Sequence, residues 1–279
     1  MSPTWLFEAD VFGQTADPLK AEIRRQGLWC HVTRQNLLAR GGDSFGNHRI
    51  APDDCVIACG CFPFVRFVLD NRRWVPGGWC TPEALACSSY YPHFGPYLLN
   101  RRHLFTTAVE AIRDRDAIFA ALGRDGQVFI RPDGCQKTFT GRVVGADEFD
   151  DALAPARYDP ATRIVVAEPR PIARKWRLVI AEGTVVGASQ YLVNGEIRTE
   201  PGCPGAVRAF AATMLAAVVW RPDEIFMADV CESGGKLYLL ELNGFSTSAI
   251  YPCDYRAVIA AASALATRRW EQRMGERGA

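Results

Sequence analysis

Two carboxylates and one amide, Asp229, Glu241 and Asn243, are the residues whose types and spacing point most directly to chemistry. They lie in Ile225 to Tyr251, IFMADVCESGGKLYLLELNGFSTSAIY, where the apolar runs IFMADV and LYLLEL flank Ser233, Gly234 and Gly235. Apolar runs of that length around a glycine-bearing turn read as a β-hairpin. Side chains alternate along a strand, so Glu241 and Asn243 share a face, and folding back about Gly235 sets Asp229 opposite Glu241. Two acids on an otherwise apolar hairpin repel each other and lose hydration. A divalent cation relieves both costs by supplying charge and taking oxygen ligands. Asp229, Glu241 and Asn243 are therefore candidate Mg2+ ligands. A hairpin with one solvated, acidic face accounts for the same residues, and the hairpin alone leaves both readings open.

Cations precede this stretch. The run QVFIRP brings Arg131 to a strand end, PDG follows as a turn, and Lys137 stands in KTFTG. Glycines such as Gly134 and Gly141 let backbone N–H groups approach phosphate oxygens, Thr138 and Thr140 add hydroxyl donors, and the two cations offset phosphate charge. No G-x-x-x-x-G-K-[ST] occurs, so this is not a Walker loop, and an ordinary hairpin with an Arg and a Lys remains an alternative. Further on, RIVVAEP ends in Glu168 before two prolines, which stop ladder pairing and leave an extended linker through Pro169 and Ile172. Backbone groups of such a linker can meet an adenine edge, and a carboxylate can hold amino or ribose hydroxyl donors. In RKWRLVIA, Arg177 follows Lys175 by two residues, so both cations face one side of a strand and need an anion or solvent.

The elements that must position these groups alternate in type. TWLFEA is strand-like, residues 17 to 27 read as a helix with Asp17 at the N-cap and Gly27 as the stop, and LWCHV is a second strand. CVIACGC and the helical PFVRFVLDN continue the alternation, which implies a small α/β lobe with a largely parallel sheet. The glycine-rich loop Arg40 to Arg49 between them would lie at the strand ends where ligands gather, although its residues are also ordinary loop formers. From Trp74 to Asn100 periodicity fails, and an irregular junction is expected, with Trp79, Tyr90 and Tyr91 as candidate substrate contacts. Residues 106 to 122 read as one amphipathic helix ended by Gly123. DEFDDAL is helical and a turn follows at 155 to 162. RKWRLVIA and TVVGASQYLV pair as strands across EGT, PGAVRAFAATMLAAVVW is a helix, and an alanine-rich helix with a solvated surface closes the chain.

Composition excludes little else. The 279 residues are 48% hydrophobic, enough for a packed core, and a formal charge of +1 gives no global argument for nucleic-acid or membrane binding. No apolar run approaches ~20 residues, and MSPTWLFEADVFG has no basic segment before an apolar core, so neither a spanning helix nor a signal peptide is expected. Ten cysteines without a secretory signal imply reduced thiols in a cytoplasm, and Cys55, Cys59 and Cys61 lack zinc-site spacing and suit a buried strand. His31, His48, His93 and His103 form no metal motif.

Taken in order, FIRPDG, KTFTG, VVAEP, KWRLVI and ADV…LLELNGFSTSAIY resemble the ATP-grasp superfamily, in particular its clade named for one arginine and two lysines. The resemblance spans roughly residues 95 to 255. It implies two α+β lobes that clamp ATP (99–173 and 174–279), preceded by a small α/β pre-ATP-grasp lobe (1–98). By the same resemblance Arg131 and Lys137 match nucleotide-phosphate cations, and Glu168 matches the acid of the adenine linker. Arg177 matches the basic residue facing the transferred phosphate, and Asp229, Glu241 and Asn243 match the metal triad. Lys175 departs from the pattern, since many relatives carry an acid there. The implied activity is Mg-ATP-dependent joining of a carboxylate to an amine through an acylphosphate, on an amino acid, peptide or small metabolite. Direct phosphoryl transfer to another acceptor, and a scaffold that binds nucleotide without turnover, are the alternatives. RNA-linked work alongside repair enzymes rests on the clade alone.

Overall fold

In the computed structural model, which describes residues 1–136, 138–154, 159 and 162–278, three sheets carry the chain. The first is all parallel, in the order β2-β1-β5-β6: β1 (Thr4–Glu8), then α1 (Asp17–Arg25), β2 (Cys30–Thr33), α2 (Gln35–Ala39), a small hairpin of β3 (Ser44–Phe45) and β4 (His48–Arg49), β5 (Cys55–Cys59), α3 (Phe62–Asn71) and β6 (Val75–Gly77). Its inner strands, TWLFE and CVIAC, are continuous apolar runs because both faces of a parallel sheet are covered. Asp17 opens α1 but does not cap it: Ala16, still in a preceding 3-10 turn, holds the cap position, and the Asp17 carboxylate accepts from Lys20 Nζ at 3.0 Å. His31 and His48, far apart in sequence, meet at 2.7 Å between ring nitrogens in a stack with Trp29 and Phe45.

The stretch expected to be irregular contains β6 and a further helix, α4 (Cys87–Phe94). Its N-terminus is satisfied from far away in sequence. The Ser88 N–H and hydroxyl both donate to the Asp133 carboxylate at 2.7 Å, and the Cys87 N–H donates to the Asp133 carbonyl at 2.9 Å. Trp79, Tyr90 and Tyr91 are at most 2% exposed and belong to the core, which corrects their reading as substrate contacts.

The second sheet is antiparallel, in the order β7-β10-β8-β9. Its elements are β7 (His103–Thr107), α5 (Ala108–Arg113), α6 (Arg115–Leu122), β8 (Gln127–Pro132), β9 (Arg142–Gly145), α7 (Ala146–Leu153) and β10 (Arg163–Ala167). The single helix expected over 106–122 is two helices broken at Asp114, and Thr106 and Thr107 belong to β7. A capping box sets the start of α5. Thr107 Oγ1 accepts from the Glu110 N–H at 3.2 Å, and the Glu110 carboxylate accepts from the Thr107 N–H at 3.1 Å, so the helix cannot begin earlier. Thr107→Ala is expected to cost about 1 kcal/mol of stability in urea unfolding, the usual worth of an N-cap hydroxyl. The expected turn at 155–162 falls largely outside the described residues.

The third sheet, in the order β13-β12-β11-β14-β15, is built from β11 (Arg174–Ala181), β12 (Thr184–Val193), β13 (Glu196–Pro201), α8 (Gly205–Ala217), β14 (Ile225–Ser233) and β15 (Lys236–Gly244). One face packs on α8, α4 and part of the first sheet. The other packs on α9 (Tyr255–Gly278) and on the β1 and β5 residues Trp5, Phe7 and Ile57. The closing helix is therefore not simply solvated: Val258, Ile259, Ala262, Leu265 and Ala266 are buried. It lies so close to β12 that a Cβ on Gly187 would stand 2.6 Å from Val258 Cγ2, nearer than carbon atoms approach. The second sheet keeps a separate core of its own around Ile130, Phe149 and Val166.

Candidate functional site

β14 and β15 are joined by the two-residue turn Gly234–Gly235, with φ of +56° and +71°, which glycine adopts freely and which matches strand twist. A regular ladder from the closing pair Ser233↔Lys236 would set Leu240 opposite Asp229. Instead Val230 pairs with Leu239 and Asp229 with Glu241, so Leu240 is the extra residue of a β-bulge. That one-residue shift puts Glu241, and Asn243 opposite Met227, on the face of Asp229.

Arg177 lies opposite Asp229 on β11. Its Nε and Nη2 donate to the two Asp229 oxygens at 2.9 and 2.8 Å, Nη1 donates to the Ala249 carbonyl at 3.2 Å, and the Tyr191 hydroxyl donates to Asp229 at 3.2 Å. The guanidinium stands 5.7 Å from the Tyr191 ring and 5.2 Å from the Tyr251 ring, two rings stacked 5.3 Å apart. Burial works against the charge of Arg177, and the Asp229 carboxylate more than restores it, so its pKa lies above the ordinary arginine value. Burial, reinforced by Asp229, raises Tyr191 as well and keeps its hydroxyl a donor. Sequence reasoning missed Tyr191. A regular ladder from the closing pair Ala181↔Thr184 would set Ala188 opposite Arg177; a bulge between Val179 and Ile180 shifts the register, and Tyr191 reaches Asp229 from the unpaired position of a second one, so no local signal announced it.

Arg131 reaches this cluster from the second sheet. Its Nη2 donates to Glu241 Oε2 at 3.0 Å, a contact between sheets with both side chains mostly buried. The two acids that seemed to require an external cation thus have guanidinium partners within the protein, Arg177 for Asp229 and Arg131 for Glu241. The loop after Arg131 ends at Gly141, where a Cβ would press on Arg131 Cβ and Phe129 Cζ at 3.2 Å. Thr140 is exposed at that end, and Lys137 lies outside the described residues.

Glu168 sits where β10 gives way to the linker. Its carboxylate meets Arg102 Nη1 at 3.3 Å and Arg124 Nη1 at 3.8 Å, and with Leu99, Arg101, Arg102 and Arg170 it lines a cleft of about 370 Å³. Pro169 and Ile172 are half-buried in the extended segment before β11. Arg170 of that segment covers the Tyr238 ring at 5.4 Å and donates to its hydroxyl at 3.4 Å. Lys175 pairs with Cys231 two places along from the Arg177–Asp229 pair, hence on the same face, and makes no ion pair among the described residues. Lys175 thus adds a further cation to the face that carries Arg177.

Of the small hydroxylated residues after Asn243, Ser246 is structural. It is fully buried, its hydroxyl accepts from the Trp79 N–H at 2.9 Å, and its carbonyl accepts from the Gly60 N–H at 2.9 Å.

Asp229, Glu241 and Asn243 offer oxygen donors on one strand face, the chemistry a hard divalent cation selects. The donor set is all oxygen, as such a cation requires, with the Asn243 Oδ1 as the amide's ligand atom; the Asn243 Nδ2 is buried without a hydrogen-bond partner. Among the described residues no group of three or more His, Cys, Asp and Glu side chains is arranged to hold a metal. The candidate set, with two carboxylates and one amide, is of a different kind.

A family model for the ATP-grasp domain, family 2 of the clade named for one arginine and two lysines, matches residues 99–261. No curated protein sequence matches the chain. Among solved structures, the D-cycloserine synthetase DcsG is similar at 14% identity and TM-score 0.62, over 95% of this chain and 99% of that one. A D-alanine–D-alanine ligase from Bacillus anthracis is similar at 10% identity and TM-score 0.58, over 99% and 100%. The ATP-grasp ligase PsnB, solved with a precursor variant, Mg and ADP, is similar at 16% identity and TM-score 0.55, over 94% and 99%. At these identities the likeness is one of fold.

Proposed function

The chain belongs to the ATP-grasp domains, in family 2 of the arginine-and-two-lysines clade, and on that premise we propose that it is a Mg-ATP-dependent carboxylate–amine ligase. The observation that carries the reading is the cluster in which Arg131 crosses from one sheet to Glu241 of another, beside the Arg177–Asp229 pair. A nucleotide taken between two such sheets would have cations on both sides and oxygen ligands below.

When bound, Mg-ATP would supply the γ-phosphoryl group and a divalent charge on its oxygens. Glu241 and Asn243 would hold the metal, with Asp229 joining as a ligand whose charge Arg177 already orients. Arg131, Lys137 and Arg177 would offset charge on the phosphoryl group, electrostatic stabilisation from fixed positions. The Glu168 carboxylate, Thr140 and the Pro169–Ile172 backbone would seat the rest of the nucleotide, and Lys175 would add charge beside it. In this reaction class a substrate carboxylate oxygen bonds to phosphorus as ADP departs. The amine then bonds to the acyl carbon of the acylphosphate as phosphate departs, leaving an amide. No side chain need bond covalently.

The substrates are an amino acid, peptide or small metabolite carrying the acid, and an amine. PsnB is described with a precursor peptide. No helix among the described residues is long and apolar enough to cross a membrane, and ten free thiols suit a cytoplasmic setting. We read residues 1–98, 99–173 and 174–279 as the pre-ATP-grasp lobe and the two nucleotide-binding lobes.

Calorimetric titration with ATP, with and without Mg2+, tests the nucleotide half. Magnesium-dependent binding is expected, and its absence in well-folded protein would leave a scaffold. Hydroxylamine tests the chemistry: acids that stimulate ADP release are expected to yield a hydroxamate. A stable phosphorylated product without hydroxamate would identify a phosphotransferase instead.

A further inference from the structure

We infer that the cleft between α3, β6 and α9 binds a small diphosphate anion. The inference stands apart from the function proposed above, because the cleft shares no residue with the candidate nucleotide site and lies at the other end of the parallel strands. The C-terminal end of β5 meets the nucleotide side, where the Gly60 N–H donates to the Ser246 carbonyl three residues past Asn243. The cleft opens at the opposite end, beside Trp74 and Val75, where β6 begins against the first residue of β5.

Arginines dominate its lining. Arg72 and Arg73 follow the last turn of α3, Arg269 and Arg273 come from α9, and Glu276 is the acid beside them. Two of these cations are engaged, Arg73 with Asp53 at 2.5 Å and Arg269 with Glu224 at 2.9 Å. Asp53 is shared with Arg277, also at 2.5 Å. Arg72 and Arg273 make no ion pair among the described residues. Five guanidinium groups thus share the cleft and its rim with three carboxylates, an excess of two positive charges. The negative pole of α3 faces the same place and offsets only about half of one charge.

The walls are held in place before any ligand arrives. Trp74 Nε1 donates to the Ala51 carbonyl at 3.0 Å and Trp270 Nε1 to the Asp53 carbonyl at 2.6 Å, which fixes β6 and α9 against one short turn. Arg72 lies over the Trp74 ring at 5.2 Å, and its Nη2 donates to the Leu38 carbonyl, so that guanidinium is oriented as well. Glu276 accepts from Gln272 Nε2 at 3.4 Å.

Guanidinium forks match phosphate oxygens in geometry as well as charge. Volume sets the size of the anion. About 350 Å³ has room for roughly twelve non-hydrogen atoms at the ~30 Å³ that a water molecule takes in the liquid. One phosphate would leave the cleft half empty, whereas a diphosphate nearly fills it and brings oxygens to the arginines of both helices.

The test uses the full chain in EDTA and 0.15 M NaCl, with inorganic pyrophosphate as the probe in calorimetric titration and thermal unfolding. Saturable binding at one site is expected, with a Tm that rises with pyrophosphate concentration and with orthophosphate bound at least tenfold more weakly. Arg273→Glu reverses a charge on an exposed side chain, so it should fold as the wild type does, bind pyrophosphate at least tenfold more weakly and lose the Tm rise. At this salt the Debye length of about 8 Å confines the effect of that reversal to the cleft. Glu276→Gln removes the acid and should bind severalfold more tightly. Equal affinity in wild type and Arg273→Glu, or weaker binding by Glu276→Gln, would place the anion elsewhere and overturn the assignment. Absence of binding by the folded wild type would do the same, and equal affinity for orthophosphate would overturn the diphosphate.

Discussion

Arg177→Met is expected to abolish turnover and to lower folding stability by about 3–5 kcal/mol, the cost of removing one partner from a buried ion pair. Asp229 is fully buried, and Arg177 supplies two charge-assisted hydrogen bonds to it at 2.9 and 2.8 Å. The neutral Tyr191 hydroxyl cannot replace that charge. Arg177→Lys keeps a cation but loses the planar fork and the contact with the Tyr191 and Tyr251 rings, so an intermediate loss is expected. The double change Arg177→Met with Asp229→Leu separates stability from the proposed function, because an apolar pair of similar volume can recover most of the folding free energy and supplies no ligand for the proposed metal. Urea unfolding of the three variants reads the first quantity and ADP release the second. If Arg177→Met unfolded at the wild-type midpoint, the pair would not have the structural weight its burial implies.

Glu241→Ala is expected to weaken Mg-dependent nucleotide binding tenfold or more, about 1.4 kcal/mol, and to loosen the contact between two sheets at once. The second effect arises because Arg131 donates to Glu241 at 3.0 Å from a largely buried position. Glu241→Gln distinguishes the two roles. A glutamine oxygen still accepts from Arg131 but carries no charge, so stability should stay near wild type while the magnesium dependence is lost. Calorimetry with and without Mg2+, paired with thermal unfolding, reads both. Undiminished magnesium-dependent binding in the alanine variant would remove Glu241 from the site.

The hairpin shows how far the amino-acid sequence reaches. Asp229 does face Glu241, but the reasoning that pivots on Gly235 arrives there without the actual cause, a two-residue turn corrected by the bulge at Leu240. A bulge has no local composition in LYLLEL to announce it. Local signals carried the strands β8, β11 and β12 and the helices α1, α3 and α7, where periodicity and breakers suffice. They failed where the deciding partner lies far off in sequence. The α4 N-terminus is satisfied by Asp133, so a stretch without helical periodicity still forms a helix. In FIRPDG, that same Asp133 serves α4 as well as the turn. The arginine partners of the two acids were hidden for the same reason, because Arg131 and Arg177 meet them only across sheets and strands. The start of α5 is the opposite case, since Thr107 and Glu110 form a local capping pattern that the smooth periodicity of residues 106–122 obscured.

The position of α9 bears on how the protein is made. Its apolar side completes the packing of β5 and β6, Trp270 Nε1 donates to the Asp53 carbonyl at 2.6 Å, and Trp5, Leu19 and Ile23 share its core. Some 180 residues separate Gly77, the end of the parallel sheet, from Tyr255, where α9 begins. At ribosomal rates of roughly 5–20 residues per second, that sheet waits on the order of ten to forty seconds for its cover. During this interval the Cys55–Cys59 strand and the Trp5 face are open to water and to neighbouring nascent chains. The aggregation risk of this face therefore falls in the interval before α9 is made, when a chaperone bound to the emerging parallel sheet would protect it.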